Sequence, residues 1–300
     1  MKKNFLCLSD FDANEIYALL KLTDHLKHGI YSEQPLKGKT IGLWFTLPST
    51  RTRLSFSAAI AQLGGVPLML SSSDLQMQRG ESLEDTIRAM TGLLDALIIR
   101  TENHAWVTEV AKLATFPVIN ALTSKLHPCQ SLADLYTIYE EKGDLTGLKV
   151  MYLGDGNNVC HSLMIACALT GIHLTIATPK AHQPSKEIYH HALNMAHLHT
   201  TLTLTDDPAS AISNCDVIYT DVWTSMGDTS KDKSVFEPFQ VNQSLLKNAS
   251  PDCMVLHCLP AHRGEEITHD VLEGTQSKVW QQAYNRLPAQ KAILINLLMH

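Results

Sequence analysis

The residues best suited to chemistry lie in one short segment, Ser49-Thr50-Arg51-Thr52-Arg53. It follows a β-like run, Thr40–Phe45, and opens an amphipathic stretch that ends at Gly64-Gly65. A strand that leads into a helix in this way leaves free backbone N–H groups and the positive helix end directed at one point. The hydroxyl and guanidinium groups beside that point therefore predict a phosphate-binding turn.

Arginine suits this task because its planar fork can bind two oxygens at once, whereas lysine offers a point charge. Arg51 and Arg53 are two positions apart and do not share a helix face. We therefore predict that Arg51 holds the anion, while Arg53 braces the loop or pairs with a carboxylate. The alternative is an exposed basic helix start that Ser49 or Thr50 caps.

Polar side chains also follow the other strand-like runs of the chain. In open α/β sheets, ligands lie beyond the carboxyl ends of the strands. The positions after the later runs hold Arg100-Thr101, His127-Pro128-Cys129-Gln130, Asn157-Asn158, Asp221 and His257-Cys258-Leu259-Pro260. Because both halves of the chain contribute such residues, the sequence predicts an active site in the cleft between two domains.

In the first half, three side chains favour an anionic or carbonyl ligand. Arg100 ends an apolar run, so its burial would require an anion partner, and a salt bridge to Glu84 is the alternative. His127 and Gln130 offer donors to a carbonyl or phosphoryl oxygen. Pro128 restricts His127 to extended geometry, which would hold the imidazole in one place. A structural hydrogen bond is the other interpretation of His127.

In the second half, the residues after the strands favour an amino-acid ligand. Residues 154–158 resemble part of a dinucleotide loop, but Val159 stands where a third glycine is needed. Asn158 and its neighbour suit an amino-acid head group or a simple turn, and Asp221 suits an ammonium group or a cap. Cys258 could orient an amine as a reactive thiol or act as a nucleophile. No metal is predicted, because Cys253 and Cys258 lack the tight spacing of a zinc pair.

The elements that must position these residues alternate between strand and helix. The predicted strands are 40–45, 66–70, 96–99 and 117–120 in the first half, and 149–153, 173–177, 217–220 and 254–256 in the second. A helix at 131–142 leads from one half to the other. This alternation predicts an α/β protein with two domains, each a parallel β-sheet flanked by helices.

Composition narrows the class of protein further. A chain of 300 residues exceeds the usual size of a single core, which favours two domains. The net charge of −6 argues against a general nucleic-acid binder. The seven cysteines include no C-x-x-C pair, and no apolar run approaches the roughly 20 residues that span a bilayer. We therefore expect a cytoplasmic protein with reduced cysteines.

Taken together, the motifs resemble the aspartate/ornithine carbamoyltransferase family, and within it the ornithine-using branch. The resemblance runs nearly end to end and includes residues 45–56, 71–76, 79–82, 100–101, 127–130, 154–158, 221–227 and 257–266. It implies transfer of a carbamoyl group from carbamoyl phosphate to the side-chain amine of L-ornithine, giving L-citrulline and phosphate. The expected role is arginine biosynthesis, without metal or organic cofactor.

The resemblance also implies how the chain is divided and assembled. Residues 1–142 would bind carbamoyl phosphate, with the C-terminal helix 284–300 packing back on them, and residues 143–283 would bind ornithine. The family assembles as a homotrimer in which the loop around Gln76 reaches the neighbouring subunit's site. Neither nucleic acid nor membrane is an expected partner.

Individual site residues carry over from the family onto matching positions of this sequence. The carbamoyl phosphate set is Ser49, Thr50, Arg51, Thr52, Gln76, Arg100, His127, Gln130, Cys258, Leu259 and Arg286. Among these, the implied catalytic residues are Arg100, His127, Cys258 and Arg286, with His127 either protonated or acting as a neutral donor. The ornithine set is Asn158, Asp221, Ser225 and Met226.

Three rival functions remain open from the sequence. A diamine such as putrescine lacks the α-carboxylate that the turn at Ser225-Met226-Gly227 suits. Aspartate is disfavoured because a cysteine at position 258 suits an amine-bearing side chain. A non-catalytic phosphate-sensing protein is the rival from a different class.

Overall fold

The computed structural model describes residues 3–31, 33–71, 73, 75–197, 199–224 and 232–299. The chain divides into two compact units, the first formed by Met1–Leu132 with Asn285–His300 and the second by Ala133–Tyr284. Each unit contains one parallel sheet with helices, which confirms the predicted two-domain α/β class. The assignment of one substrate to each domain stays a prediction.

The first unit is built from four strands and their connecting helices. Its strands are β1 Thr40–Phe45, β2 Val66–Leu70, β3 Ala96–Arg100 and β4 Val118–Leu122. Its helices are α1 Ala13–Lys27, α2 Arg51–Gln62, α3 Leu83–Met90 and α4 His104–Leu113, and it includes the start of α5 Pro128–Lys142.

The second unit holds five strands and shorter helices. Its strands are β5 Lys149–Leu153, β6 His173–Ala177, β7 Leu202–Thr205, β8 Val217–Thr220 and β9 Met254–His257. Its helices are α6 Asn158–Thr170, α7 Lys186–Asn194, α8 Pro208–Ala211, α9 Gln243–Leu246 and α10 His269–Leu272, and the start of α11 Val279–Leu298.

The order of strands in the first sheet is β2-β1-β3-β4, and every pairing is parallel. The chain moves outward from β1 to β2 and then continues on the other side with β3 and β4. The point where the direction reverses therefore lies between β1 and β3, where Phe45 pairs with Arg100. Ligands of open parallel sheets bind at such a switch point, so the turn after β1 and the end of β3 lie where a site is expected.

The second sheet repeats this arrangement with the order β7-β6-β5-β8-β9. Its switch point lies between β5 and β8, where Leu153 pairs with Thr220. Strand β9 is the next neighbour, and its last residue, His257, pairs with Thr220 as well. The turns after β5, β8 and β9 therefore meet at one edge of this sheet.

The prediction of four strands in the second half is wrong, because β7 is a fifth strand. Its residues Leu202–Thr205 alternate leucine and threonine, and only Leu202 is buried, while Thr203 is exposed and the other two are half-buried. Such alternation is typical of an edge strand that is only half covered, whereas the predicted strands were sought as apolar runs. The helix predicted at 131–142 begins three residues earlier, at Pro128, where proline suits the first helical position.

Continuous apolar runs explain why the central strands lie in the core. All five residues of β3 and five of the six residues of β1 are buried, as a parallel strand covered on both faces requires. The edge strand β2 differs, since Val66, Leu68 and Met69 keep about half of their surface exposed. None of the helices within the described residues is both long enough and apolar enough to cross a membrane.

Candidate functional site

The turn after β1 has the geometry of an anion-binding helix start. Ser49 Oγ accepts a hydrogen bond from the backbone N–H of Thr52 at 3.2 Å, so Ser49 caps α2. Thr50 occupies the N-cap position and is exposed, Arg51 is half-buried and Thr52 is buried. The alternative of a Ser49 cap is therefore right in part, but the helix start is not simply an exposed basic one.

Arg53 and Arg51 have different surroundings, as the lack of a shared helix face predicts. The guanidinium carbon of Arg53 lies 5.9 Å from the centroid of the Phe45 ring, and the side chain is exposed. This contact is a cation–π interaction between the helix start and the end of β1. It fits the bracing role predicted for Arg53.

Two buried guanidinium groups converge on the hydroxyl of Thr52. Arg100 Nη1 donates to Thr52 Oγ1 at 3.5 Å, and Arg286 Nη2 donates to the same oxygen at 3.2 Å. Arg286 Nη1 also donates to Gln130 Oε1 at 2.5 Å. Both arginines are less than a tenth exposed. Two cations held out of water around one neutral oxygen repel each other, so an anion placed between them is stabilised.

His127 is held neutral beside these arginines. It lies between β4 and α5 and is buried. Burial lowers its pKa well below the ordinary value, and the charges of Arg286, Arg100 and Arg51 lower it further. A neutral imidazole offers one N–H donor and one acceptor. Of the two forms left open by the sequence, the structure favours the neutral donor.

The cysteine next to this cluster is structural. Cys129 Sγ donates to the carbonyl oxygen of Asn120 at 3.3 Å. Burial raises the pKa of the Cys129 thiol to about 12, against the opposing charge of Arg286. At neutral pH this sulfur keeps its proton, and it is not a nucleophile.

Gln76 does not belong to the same cluster within this chain. It begins a short 3-10 helix, Gln76–Arg79, and its side chain is exposed. Among the described residues, no hydrogen bond joins the Gln76 side chain to Thr52, Arg100, His127, Gln130 or Arg286. The first unit thus brings together the turn and the buried cluster, and leaves Gln76 outside it.

In the second unit, the turn after β5 packs tightly against the loop of residues 182–184. Gly154 has φ +124°, a conformation that disfavours any side chain. A Cβ on Gly156 would lie 2.2 Å from the backbone nitrogen of Pro184, and Gly156 N donates to His182 O at 2.9 Å. The second glycine thus permits close packing of two loops. This agrees with the weakness of the dinucleotide interpretation.

Asn157 caps α6 and contacts a carboxylate at the same time. Its Oδ1 accepts from the backbone N–H groups of Val159 at 2.9 Å and Cys160 at 3.2 Å. Its Nδ2 donates to Asp221 Oδ2 at 2.8 Å. Asn158, the residue predicted to bind substrate, is the first residue of α6 and is half-buried.

Asp221 is a buried carboxylate with a donor on each oxygen. Asn157 occupies Oδ2, and Cys258 Sγ donates to Oδ1 at 2.8 Å. A sulfur that donates carries its proton, so Cys258 is a thiol in this arrangement. Each carboxylate oxygen has a second lone pair, which an ammonium group can still use. The edge of this sheet is therefore suited to a cationic ligand.

The turn that carries Cys258 is held by a buried histidine. The backbone N–H of Leu259 donates to His257 Nδ1 at 2.8 Å, so the ring proton lies on Nε2, 3.0 Å from Glu266 Oε1. Leu259 has φ +59°, a left-handed conformation that costs about 1–2 kcal/mol in a residue with a side chain. This hydrogen bond helps to offset that cost and orients Cys258 and Leu259.

Three potential metal ligands lie close together here. One ligand atom each from Asp221, His257 and Cys258 lies within 4.8 Å of the others. Both nitrogens of His257 already have hydrogen-bond partners, and the Cys258 thiol bonds to Asp221. Each of the three side chains is thus already engaged in a hydrogen bond within the protein, His257 with Glu266 and the Leu259 backbone, and Cys258 with Asp221.

Two of the predicted ornithine ligands, Ser225 and Met226, lie outside the residues that the structure describes. The sequence offered Asn157, with Asn158, as a head-group ligand or a turn residue, and the structure shows Asn157 as the cap of α6. A buried network was not predicted from the sequence. In it, Gln282 Nε2 donates to Asp134 Oδ1 at 2.6 Å, Tyr219 OH donates to Asp134 Oδ2 at 3.1 Å, and Gln282 Oε1 accepts from His257 N at 2.9 Å.

Two family models match the chain in consecutive parts. The carbamoyl-P binding domain of aspartate/ornithine carbamoyltransferase matches residues 3–140, and the Asp/Orn binding domain of the same family matches residues 146–297. The chain belongs to the aspartate/ornithine carbamoyltransferase family. The resemblance inferred from the motifs is thereby confirmed.

Individual relatives agree with the family assignment. The chain is 50% identical over 303 residues to an ornithine carbamoyltransferase of Anoxybacillus flavithermus, covering 99% of this chain and 96% of that protein. It is 48% identical over 299 residues to a Pyrococcus furiosus protein named anabolic ornithine carbamoyltransferase, covering 97% of this chain and 95% of that protein. A solved structure of ornithine carbamoyltransferase from Pyrococcus furiosus matches with a TM-score of 0.94 and 47% identity, over 99% of this chain and 97% of that one.

Proposed function

We propose that this protein transfers the carbamoyl group of carbamoyl phosphate to the side-chain amine of L-ornithine, forming L-citrulline and phosphate. Family membership and the relatives named ornithine carbamoyltransferase support this assignment. The single observation that carries it is the buried pair of guanidinium groups on Thr52 Oγ1, because such a pair favours an anion.

The first unit would bind carbamoyl phosphate. The N–H groups at the start of α2, with Ser49, Thr50, Arg51 and Thr52, would hold the phosphate oxygens. Arg100, Arg286 and the N–H of neutral His127 would donate to the carbamoyl oxygen, and Gln130 orients Arg286. Negative charge grows on that oxygen as the carbon becomes tetrahedral, and each well-placed donor contributes about 3–4 kcal/mol in known enzymes.

The second unit would bind ornithine. Asp221 would hold the α-ammonium group of ornithine, because a buried carboxylate favours a cation. Asn158 would contribute an amide to the amino-acid head group, and Ser225 and Met226 complete the proposed set. Cys258 and Leu259 would flank the reacting carbon.

The reaction requires the side-chain amine of ornithine in its neutral form, whereas the pKa of an alkylammonium group is about 10.4. In the proposed step, the amine nitrogen forms a bond to the carbamoyl carbon. The bond from that carbon to the phosphate oxygen breaks, and its electron pair leaves with phosphate. The nitrogen loses one proton, which ends on the released hydrogen phosphate. Cations of the first unit would lower the affinity for an ammonium and so favour the reactive neutral form.

A direct assay tests the proposal. Purified protein is incubated with carbamoyl phosphate and, in parallel, with ornithine, putrescine or aspartate, and each carbamoylated product is quantified. We expect citrulline to form with much the highest kcat/KM. If putrescine or aspartate is carbamoylated with a higher kcat/KM, that amine is the substrate and ornithine is not. If no amine gives a product, the protein is better described as a phosphate-binding protein.

We further propose a homotrimer whose sites are shared between subunits. Two features of the first unit support it. Gln76 is exposed, and the edge strand β2 exposes Val66, Leu68 and Met69, an apolar surface of the kind that protein contacts cover. Analytical ultracentrifugation should give three chain masses, and a monomer with full activity would contradict the shared site.

Arginine biosynthesis in the cytoplasm is the proposed setting. The Pyrococcus furiosus relative is named anabolic, and the helices of the described chain lack a membrane span. Restored growth without arginine, after expression in a host that lacks this enzyme, would support the biosynthetic direction. Failure to restore growth, with activity present in the extract, would argue for arginine breakdown instead.

A further inference from the structure

Asn157 connects two residues that are proposed to bind ornithine, Asn158 at the start of α6 and Asp221 after β8. Its Oδ1 is committed to the first N–H groups of α6, so its Nδ2 faces away from the helix. That amide group donates to Asp221 Oδ2 at 2.8 Å. One side chain therefore fixes the start of the helix that bears Asn158 and one oxygen of Asp221.

The orientation of Asp221 depends on this contact. Asp221 is buried, and a buried carboxylate without donors is strongly unfavourable. Among the described residues, its hydrogen-bond donors are Asn157 on Oδ2 and Cys258 on Oδ1. With one donor on each oxygen, the plane of the carboxylate is defined. The remaining lone pairs then point in fixed directions.

The backbone around Asn157 is held in place independently of this amide. Tyr152 OH donates to the carbonyl oxygen of Asp155 at 2.7 Å, and Gly156 N donates to His182 O at 2.9 Å. The turn is thus tied to β5 and to the loop after β6 by its own hydrogen bonds. Loss of the Asn157 amide should therefore affect Asp221 more than the turn.

We propose that Asn157 is a positioning residue for ornithine binding: it sets the direction in which Asp221 receives the α-ammonium group of the substrate, without touching the substrate itself. This inference rests on the proposed function. It differs from the role of Asn158, which is proposed to contact ornithine directly. The expected signature is a change in ornithine KM with little change in carbamoyl phosphate binding.

Asn157→Ser separates the two tasks of the side chain. Serine can cap a helix as well as asparagine, but it is too short to donate to Asp221. We expect the KM for ornithine to rise about tenfold or more, as loss of a hydrogen bond to a charged group predicts. The KM for carbamoyl phosphate and the melting temperature should stay close to those of the parent.

Asn157→Asp gives a readout that a merely structural role would not change. Aspartate keeps the cap but places a second carboxylate against Asp221, and two such groups share one proton. As pH rises from about 6 to about 9, that proton is lost and the carboxylates repel each other. The ratio of variant to parent kcat/KM for ornithine should therefore fall with rising pH. Other titratable groups close to Asp221 are Tyr152, Cys160, Tyr219, His257 and Cys258, and Asp155 lies near Tyr152 and Cys160.

Asn103 provides the matched control. It caps α4 through an Oδ1 bond to Trp106 N at 3.0 Å and is exposed in the first unit. Asn103→Ser and Asn103→Asp should leave ornithine KM within about twofold of the parent, as surface caps have small effects. They show how much a cap substitution alone contributes.

The outcomes are distinct. If the parent forms no citrulline, the proposed function fails, and the role of Asn157 fails with it. If the parent is active and Asn157→Ser has a parental ornithine KM, the positioning role is overturned. If Asn157→Ser does not fold, Asn157→Asp decides the matter. A pH profile of Asn157→Asp parallel to that of the parent would overturn the role in the same way.

Discussion

The two units place opposite chemistry on the same architectural feature. In the first, the switch point between β1 and β3 carries Arg100 and the turn that ends in Thr52. In the second, the switch point between β5 and β8 carries Asn157 and Asp221. One edge thus gathers buried cations around a hydroxyl, and the other gathers donors around a buried carboxylate.

This difference shows what the sheet determines and what the strand ends determine. A parallel sheet with a reversal brings the ends of neighbouring strands together, whichever residues they carry. The charge of the ligand that each site favours is set by the side chain at or just after the end of the strand. A guanidinium group at the end of β3 favours an anion, whereas the carboxylate after β8 favours a cation. The two can therefore be disrupted separately.

The largest expected effect comes from Arg100→Met, which removes a cation from the first unit. Without this donor, the charge that grows on the carbamoyl oxygen loses stabilisation, and we expect kcat/KM to fall about 10³-fold. Citrulline formation measures the effect, and circular dichroism checks the fold.

Arg53→Met is the matched control for Arg100, because Arg53 is exposed and stacks on Phe45. Its activity should stay within about twofold of the parent, as surface substitutions usually do. Equal losses in both variants would show that general positive charge matters, and not the buried pair.

A smaller effect is expected from Asp221→Asn, which removes the buried negative charge after β8 with little change in the shape of the side chain. The ammonium group of ornithine would lose a charged acceptor, so we expect ornithine KM to rise about 100-fold. Carbamoyl phosphate affinity, measured by calorimetry, should be unchanged if the two edges act on different substrates.

Asp207→Asn controls for the loss of a carboxylate in the same unit. Asp207 caps α8 by accepting from Ser210 N at 3.1 Å, and asparagine can keep this bond. Its ornithine KM should match that of the parent. If Asp221→Asn instead weakens carbamoyl phosphate as strongly as ornithine, the separation of the two edges is wrong.

The sequence predicted strand ends better than it predicted contacts between them. Buried parallel strands read as apolar runs, so the ends of β1 and β5 were located correctly, while the alternating edge strand β7 was missed. Arg100 was predicted from its position at a strand end. Arg286 was not, because no local pattern connects a residue of the last helix with Thr52, and only the family resemblance named it.

The bond from Asn157 to Asp221 illustrates the same limit. It requires β5 and β8 to be neighbours and the Asn157 oxygen to be occupied by the helix start. Strand order depends on packing along the whole chain, so spacing in sequence does not encode it. Residue types at strand ends could be predicted, whereas their hydrogen-bond partners required the structure.

The last and smallest change that we predict concerns the pH dependence of stability at His127. The pKa of His127 is lowered by burial and by neighbouring arginines, so native His127 stays neutral where an unfolded histidine, with a value of about 6.5, gains a proton. The unfolded state then binds more protons, and stability falls as pH drops below about 6.5. His127→Gln removes this loss. Between about pH 7.5 and 5.5, the parent should lose about 1 kcal/mol more than the variant, or about 2 °C in melting temperature.

Adding inorganic phosphate tests whether this pH effect arises from the arginines of the first unit. An anion among Arg51, Arg100 and Arg286 would offset the charges that depress the pKa of His127. Saturating phosphate should therefore reduce the difference in melting temperature between parent and His127→Gln at low pH. Chloride at equal ionic strength should reduce this difference less. If the melting temperatures of the two proteins change equally with pH, His127 is not held neutral by the arginines. Its protonation would then be the same in the folded and the unfolded chain.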